Sequence, residues 1–176
     1  MIRTIKDEDI PIILGWYNHY ILTSAATFEE ETIPPEEFKA RIRRITEEYP
    51  WIVLEKENKP VGYAYLSHFN PRHAYRFTAD IAIYIDPKET GKGYGKILLE
   101  ALIGRAKQCG YQKLVSLVTV GNAASEALHE SFGFVKQTVM EKAGYKFGRW
   151  QSVNYFVLDI GSFPENPDEP INPEVR

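Results

Sequence analysis

Phe77–Gly110, FTADIAIYIDPKETGKGYGKILLEALIGRAKQCG, reads as an apolar strand, a glycine-rich turn and a helix in unbroken succession. FTADIAIYI is rich in β-branched and aromatic residues and stops at Asp86-Pro87, where proline has no N–H for the next ladder bond. From Lys96 onward Ile97, Leu98, Leu99, Leu102, Ile103 and Ala106 fall near helical spacing, and Gly110 suits a left-handed cap. Gly91, Gly93 and Gly95 leave the backbone bare just where the helix begins. Unpaired N–H groups and the positive end of the helix dipole converge there, so the turn is expected to hold an anion, with phosphate the first choice.

The turn does not match either common nucleotide signature. The dinucleotide fingerprint needs G-x-G-x-x-G, whereas Gly91 opens G-K-G-Y-G-K, and the strands expected before it argue against a leading βαβ unit. The nucleoside-triphosphate loop needs Lys followed by Ser or Thr, but Lys96 is followed by Ile97, and Thr90 stands where that loop has its first glycine. Two readings remain open at this point: the diphosphate of coenzyme A, or a plain surface turn.

A chain of 176 residues with 44% hydrophobic and 26% charged residues is expected to form one domain with its own core. A net charge of −3 gives no general attraction to nucleic acid or to an anionic membrane. No apolar run approaches the length of a membrane span, MIRTIKDEDI does not read as a signal peptide, and the single Cys109 suits a reducing cytoplasm.

In chain order, MIRTI reads as a short strand and Asp7 as the cap of a helix reaching about Tyr20; ILTSAATFEEE has no period and reads as loop. Pro34-Pro35 opens a second helix with Phe38, Ile42 and Ile45 buried and Arg41, Arg43 and Arg44 on its wet face, ending at Tyr49-Pro50. Trp51–Glu55 and Val61–His68 read as an antiparallel hairpin. Beyond the central helix come a nearly continuous apolar strand (Lys113–Val120), a short helix (Ala123–Phe132), a strand after Gly133-Phe134 and a last strand (Ser152–Ile160). The expected organisation is a single α/β domain over residues 1–161, followed by a proline-rich acidic tail over 162–176 that is mobile or lies along a neighbouring chain.

A second motif, GNAASEALHESFGF (residues 121–134), places Asn122 between a strand and a helix, as an N-cap would sit, and His129 seven residues later. With both motifs in view the chain resembles the GNAT superfamily of acyl-CoA N-acyltransferases, which pairs a Gln/Arg-x-x-Gly-x-Gly/Ala turn with a later N-x-x-A/S-x-x-x-Y-x-x-x-G-F pattern. Thr90, Gly91, Lys92, Gly93, Tyr94 and Gly95 fall on the first, and Asn122, Ser125, His129, Gly133 and Phe134 on the second. TSAATFE, EYPWIVLE, VGYAYLSHF, RHAYRFTADIAIYI, NAASEALHESFGF and GYKFGRWQSVNYFVLD narrow the resemblance to the phosphinothricin N-acetyltransferase family, which includes methionine sulfone and sulfoximine acetyltransferases.

The resemblance implies a mixed, mostly antiparallel twisted sheet flanked by helices, with splayed central strands and acetyl-CoA at the strand–turn–helix motif. It implies Ile83, Tyr84, Ile85, Gly91, Lys92, Gly93, Tyr94, Gly95, Lys96, Asn122 and Ser125 as coenzyme contacts, with no metal. It implies Phe28, Arg72, Tyr75 and Trp150 around a small amine acceptor, and a homodimer. Asp80 stands where the family places a glutamate base, and His129 where the superfamily often has a tyrosine that protonates the departing coenzyme thiolate. Thr90 departs from the usual Gln or Arg, while Gln151 and Ser152 replace the family's common His-Asp. The same residues leave room for two rival functions: a protein or peptide N-acetyltransferase, and a non-catalytic acyl-CoA-binding domain.

Overall fold

The strand, turn and helix of residues 77–110 form as β4 (Thr78–Ile85) and α3 (Tyr94–Cys109) in a computed structural model that describes residues 1–172. Three strands precede them: β1 (Ile2–Thr4), β2 (Trp51–Lys56) and β3 (Lys59–His68), with α1 (Ile10–Thr23) and α2 (Pro35–Thr46) inserted after β1. After α3 come β5 (Lys113–Thr119), α4 (Ala123–Ser131), β6 (Val135–Lys146) and β7 (Arg149–Asp159). The seven strands form one sheet in the order β1-β2-β3-β4-β5-β7-β6. Neighbours run antiparallel except β4 and β5, which are parallel.

That parallel pair is short. Only Thr78, Ala79 and Asp80 match partners on β5, namely Lys113, Leu114 and Val115. Beyond Asp80 the two strands part into a V, the splay implied above. Alternation along β4 sends Ala79 and Ile81 to one face, where they bury against Leu98, Leu99 and Leu102 of α3. On the other face Trp51, Val53 and Tyr63 bury against Ile13 and Ile21 of α1 and Phe38 and Ile42 of α2. Both hairpins turn on two residues at positive φ, Glu57-Asn58 between β2 and β3 and Phe147-Gly148 between β6 and β7, the geometry whose twist matches paired strands.

Three local expectations are corrected. Asp7 does not cap α1: a 3-10 turn, Asp7–Asp9, precedes the helix, and it is the buried Asp9 that accepts the Lys6 N–H (2.9 Å) and grips both ends of the Arg3 fork (2.7 and 2.8 Å). Asp7 stays exposed and meets Lys39 and Arg43. Arg41 does not share the wet face of Arg43 and Arg44; it is partly buried, ion-paired to Glu29 at 2.5 Å. Over residues 162–172 the tail lies along its own domain. The Phe163 N–H donates to Gln112 Oε1 (3.0 Å), Arg76 grips Glu169 (2.7 Å), and the Ile171 N–H donates to the Cys109 carbonyl (2.9 Å). The end of the expected tail, residues 173–176, lies outside the described residues.

Candidate active site

The site is built on the V. Asp80 occupies the last matched position of β4, opposite Val115 on β5 and Ser67 on β3, and its side chain shares the α1/α2 face with Tyr65 and Tyr84. Its Oδ1 is buried without a hydrogen-bond partner. Burial pushes the carboxyl up to about 7, although the Ile81 N–H pulls the other way. A carboxyl group that is half-ionised near neutrality, with a free lone pair, is a group poised to take a proton.

Past Asp80, β4 faces an open gap. The Asp86 N–H donates to Val61 O on β3 (2.9 Å), so strand alternation turns the N–H groups of Ile83 and Ile85 away from β3 and towards the gap. In the absence of a β5 partner, the Ile85 carbonyl accepts from the Tyr20 hydroxyl at 2.8 Å. The gap opens into a cleft of about 590 Å³.

At the floor of the cleft the turn behaves as its glycines require. Gly91 and Gly93 sit at φ of +77° and +83°, a region that side-chain-bearing residues avoid, and a Cβ on either would meet nothing within 4 Å. Both positions border the cleft at the first turn of α3, so the turn leaves room for an anion there. Gly95 serves a different purpose: a Cβ there would lie 3.1 Å from Leu128 Cδ2, so its bareness lets α3 approach α4.

Of the expected coenzyme contacts, Ile83, Tyr84, Ile85, Gly91, Gly93 and Gly95 border the cleft, as do Lys96, Asn122 and Ser125. Lys92 and Tyr94 do not; Lys92 pairs with Glu89 (2.8 Å) and Tyr94 meets Lys56. Asn122 is an N-cap, as its position suggests, since its Oδ1 accepts the Ser125 N–H at 3.3 Å. Glu126 completes that turn by accepting from the Gly121 N–H (3.0 Å) and from Asn154 Nδ2 (2.9 Å).

His129 borders the cleft while its ring is buried between Phe134 and Phe156. Its Nδ1 lies 2.7 Å from the Ser125 carbonyl, which can only accept, so Nδ1 carries the proton and Nε2 is bare. Nε2 is buried and has no partner. Burial lowers the ring's pKa against the raising effect of the Ser125 bond. The resting ring is therefore a neutral acceptor, and the donor role expected for it demands that Nε2 first take up a proton.

The four expected acceptor contacts fall into two pairs. Phe28 lies across Gly144, where a Cβ would come 2.5 Å from the ring, and Trp150 stacks edge-on with Tyr145 on the same hairpin. Tyr75 packs edge-on with Phe69 in the β3–β4 connection, and Arg72 borders a separate groove with Glu48, His68 and Glu169. Sequence reasoning missed Tyr20, Ala26 and Thr119, which also line the cleft. Ala26 lies in a stretch without period and Tyr20 at the expected end of a helix, so neither carried a signal.

The sequence profile of the Acetyltransferase (GNAT) family matches residues 15–134. A phosphinothricin N-acetyltransferase of Alcaligenes faecalis is 40% identical over 153 residues, spanning 85% of this chain and 77% of that protein. An L-methionine sulfoximine/L-methionine sulfone acetyltransferase of Salmonella typhimurium is 33% identical, spanning 90% of this chain and 94% of that protein. Among solved structures, a GNAT superfamily phosphinothricin acetyltransferase from Sinorhizobium meliloti in complex with AcCoA superposes with a TM-score of 0.92 at 33% identity, covering 99% of this chain and 96% of that one. The profile matches well over half of the chain, and it runs from α1 through the splay, the glycine turn and α4; the chain belongs to the GNAT family of acetyltransferases.

Proposed function

We propose that the protein transfers an acetyl group from acetyl-CoA to the α-amino group of a small amino-acid-like acceptor of the phosphinothricin, methionine sulfone or methionine sulfoximine kind. The observation that carries this reading is the buried carboxyl of Asp80 at the apex of the V, on the face opposite α3, with its Oδ1 unpartnered among the described residues. The chain's own features fit the coenzyme: an empty glycine cradle before a helix for the diphosphate, and inward-turned N–H groups at Ile83 and Ile85 for the pantetheine arm and acyl carbonyl. Acetyl-CoA, when bound there, supplies a thioester carbonyl.

An α-amino group arrives near neutral pH mostly as ammonium, which has no lone pair for attack. Asp80 removes that proton, and being one methylene shorter than the family's glutamate it does so through an intervening water. His129 passes a proton to the departing thiolate only after Nε2 has taken one up, a step that burial of the ring disfavours. Direct attack within a ternary complex needs no covalent enzyme intermediate, and Cys109 is buried away from the cleft.

The protein works in the cytoplasm as a homodimer in this reading. β6 ends the sheet, and Val135, Val139, Met140 and Tyr145 stand exposed along it, with Phe147 and Trp150 at its hairpin, an apolar edge that a second copy would cover. Light scattering at micromolar concentration should return twice the chain mass of 20.2 kDa, and a monomer would overturn this assignment.

The acceptor is tested by thiol release from acetyl-CoA against a panel of amino acids, their oxidised sulfur and phosphinate analogues, and peptides. Turnover with methionine sulfone, methionine sulfoximine or phosphinothricin is the expected result. Activity confined to peptide amines would replace this reading with protein acetylation.

A further inference from the structure

The segment from Tyr20 to Phe28 crosses the open end of the V. On the β4 limb the Tyr20 hydroxyl donates to Ile85 O; on the β5 limb the Thr119 hydroxyl donates to Ala25 O at 2.5 Å. Tyr20 and Ala26 border the coenzyme cleft from this side. The strap and the Asp80 apex thus bound a window between the cleft and the α1/α2 face, through which an amine must meet the thioester.

What fixes the strap is an unusual side chain. Lys146, the last residue of β6, is 2% exposed, and its ammonium donates to the carbonyls of Ser24 and Thr27, both at 2.8 Å. Burial lowers its pKa, and Glu30 and Glu29 oppose that fall. Its neighbour Phe147 holds a positive φ of 54°, with the ammonium 4.9 Å from the ring. A cation buried in this manner is costly unless its partners are well placed. Removing it would leave two loop carbonyls without their donor, and a loop with unpaired carbonyls rearranges towards water. The Phe28 ring over Gly144 joins the same strap to the same strand.

We infer that Lys146 is a positioning residue for the acceptor: its ammonium holds the Ser24–Phe28 wall of the acceptor window in register with Asp80, while the glycine turn on the far side of the cleft stands without it. The inference rests on the acceptor reading proposed above.

The experiment compares wild type with Lys146→Met and Lys146→Arg. Steady-state constants are measured for both substrates with the best acceptor from the panel, and backbone amide exchange is measured at residues 24–28. In Lys146→Met kcat/KM for the acceptor should fall ~10–10²-fold, the scale of an ångström-sized misplacement in a reacting pair, while the KM for acetyl-CoA stays within about twofold. Exchange over residues 24–28 should accelerate. Lys146→Arg keeps the cation and should fall between the two. An unchanged kcat/KM for the acceptor, or a comparable rise in the KM for acetyl-CoA, would overturn the inference. Should Lys146→Met fail to fold, the arginine variant decides by the same criteria. If wild type acetylates no small amine, the acceptor role falls with the functional reading. Accelerated exchange in the variant would then still show the wall to be clamped by Lys146, so the two failures remain distinguishable.

Discussion

Asp80→Asn should lower turnover by ~10²–10⁴, the usual range for loss of a general base, while leaving acetyl-CoA affinity nearly intact. The amide keeps the shape and loses the lone-pair basicity. The wild-type kcat/KM should fall on the acid side with a midpoint near the pKa of about 7 at which burial holds the carboxyl in the free protein, because the protonated acid cannot accept. The variant should lack that limb. A variant that turns over at wild-type rate across the profile would place the base elsewhere.

The same substitution should act oppositely on stability. A folded-state pKa raised from 3.8 to about 7 means the fold favours the protonated acid. That contribution is fully present below about pH 4 and is lost as pH rises through 7, where an ionised carboxylate must be kept out of water. Asp80→Asn carries no such charge, so its melting temperature should exceed wild type at pH 8 by the equivalent of roughly 1–4 kcal/mol and match it near pH 4. A residue that costs stability at working pH is expected where chemistry, rather than packing, has set the environment.

Gly93→Val should raise the dissociation constant for acetyl-CoA by ~10²–10⁴, measured by calorimetry on folded protein. Two effects combine. A β-branched residue at φ of +83° strains the turn, and its methyl groups fill the space where the anion would sit. Each charge-assisted hydrogen bond lost from a backbone N–H is worth about 1.5–3 kcal/mol, so two such bonds account for the expected range. Unchanged affinity would mean that the diphosphate binds elsewhere. Gly91→Val should behave in the same direction, as the other open, left-handed position of the turn.

The strand–turn–helix core was legible because periodicity and glycine placement are local signals, and both survive in the fold unchanged. Asp80 was legible as the only charge inside an apolar strand. That it stands at the apex of the V was not, because this depends on β4 and β5 parting after three matched pairs, a long-range event with no mark in either strand. That Asp9 rather than Asp7 is the buried acid before α1 turned on a two-residue choice between neighbouring acids, decided by Arg3 arriving from β1. Arg41 looked solvated because helical spacing says nothing of a loop that folds over the helix; Glu29 supplies the partner. The tail had the composition of a mobile segment, yet Gln112, Cys109 and Arg76 fasten it through contacts that only the folded chain brings together. Lys146 was invisible for the same reason, since its partners lie over a hundred residues earlier in the chain.

The short match between β4 and β5 also sets how the molecule holds together as a whole. Four strands stand on one side of that seam and three on the other, joined by three residue pairs at one end. Elsewhere the backbone edges that face each other have no ladder. A ligand whose arm carries amide groups, lying along Ile83 and Ile85, adds the rungs that a neighbouring strand would have provided. Binding such a ligand therefore mends a sheet as well as filling a cleft, and the stabilisation that binding confers by mass action falls on the seam. When the arm leaves, those rungs go with it, and the two half-sheets are again paired only at Thr78, Ala79 and Asp80.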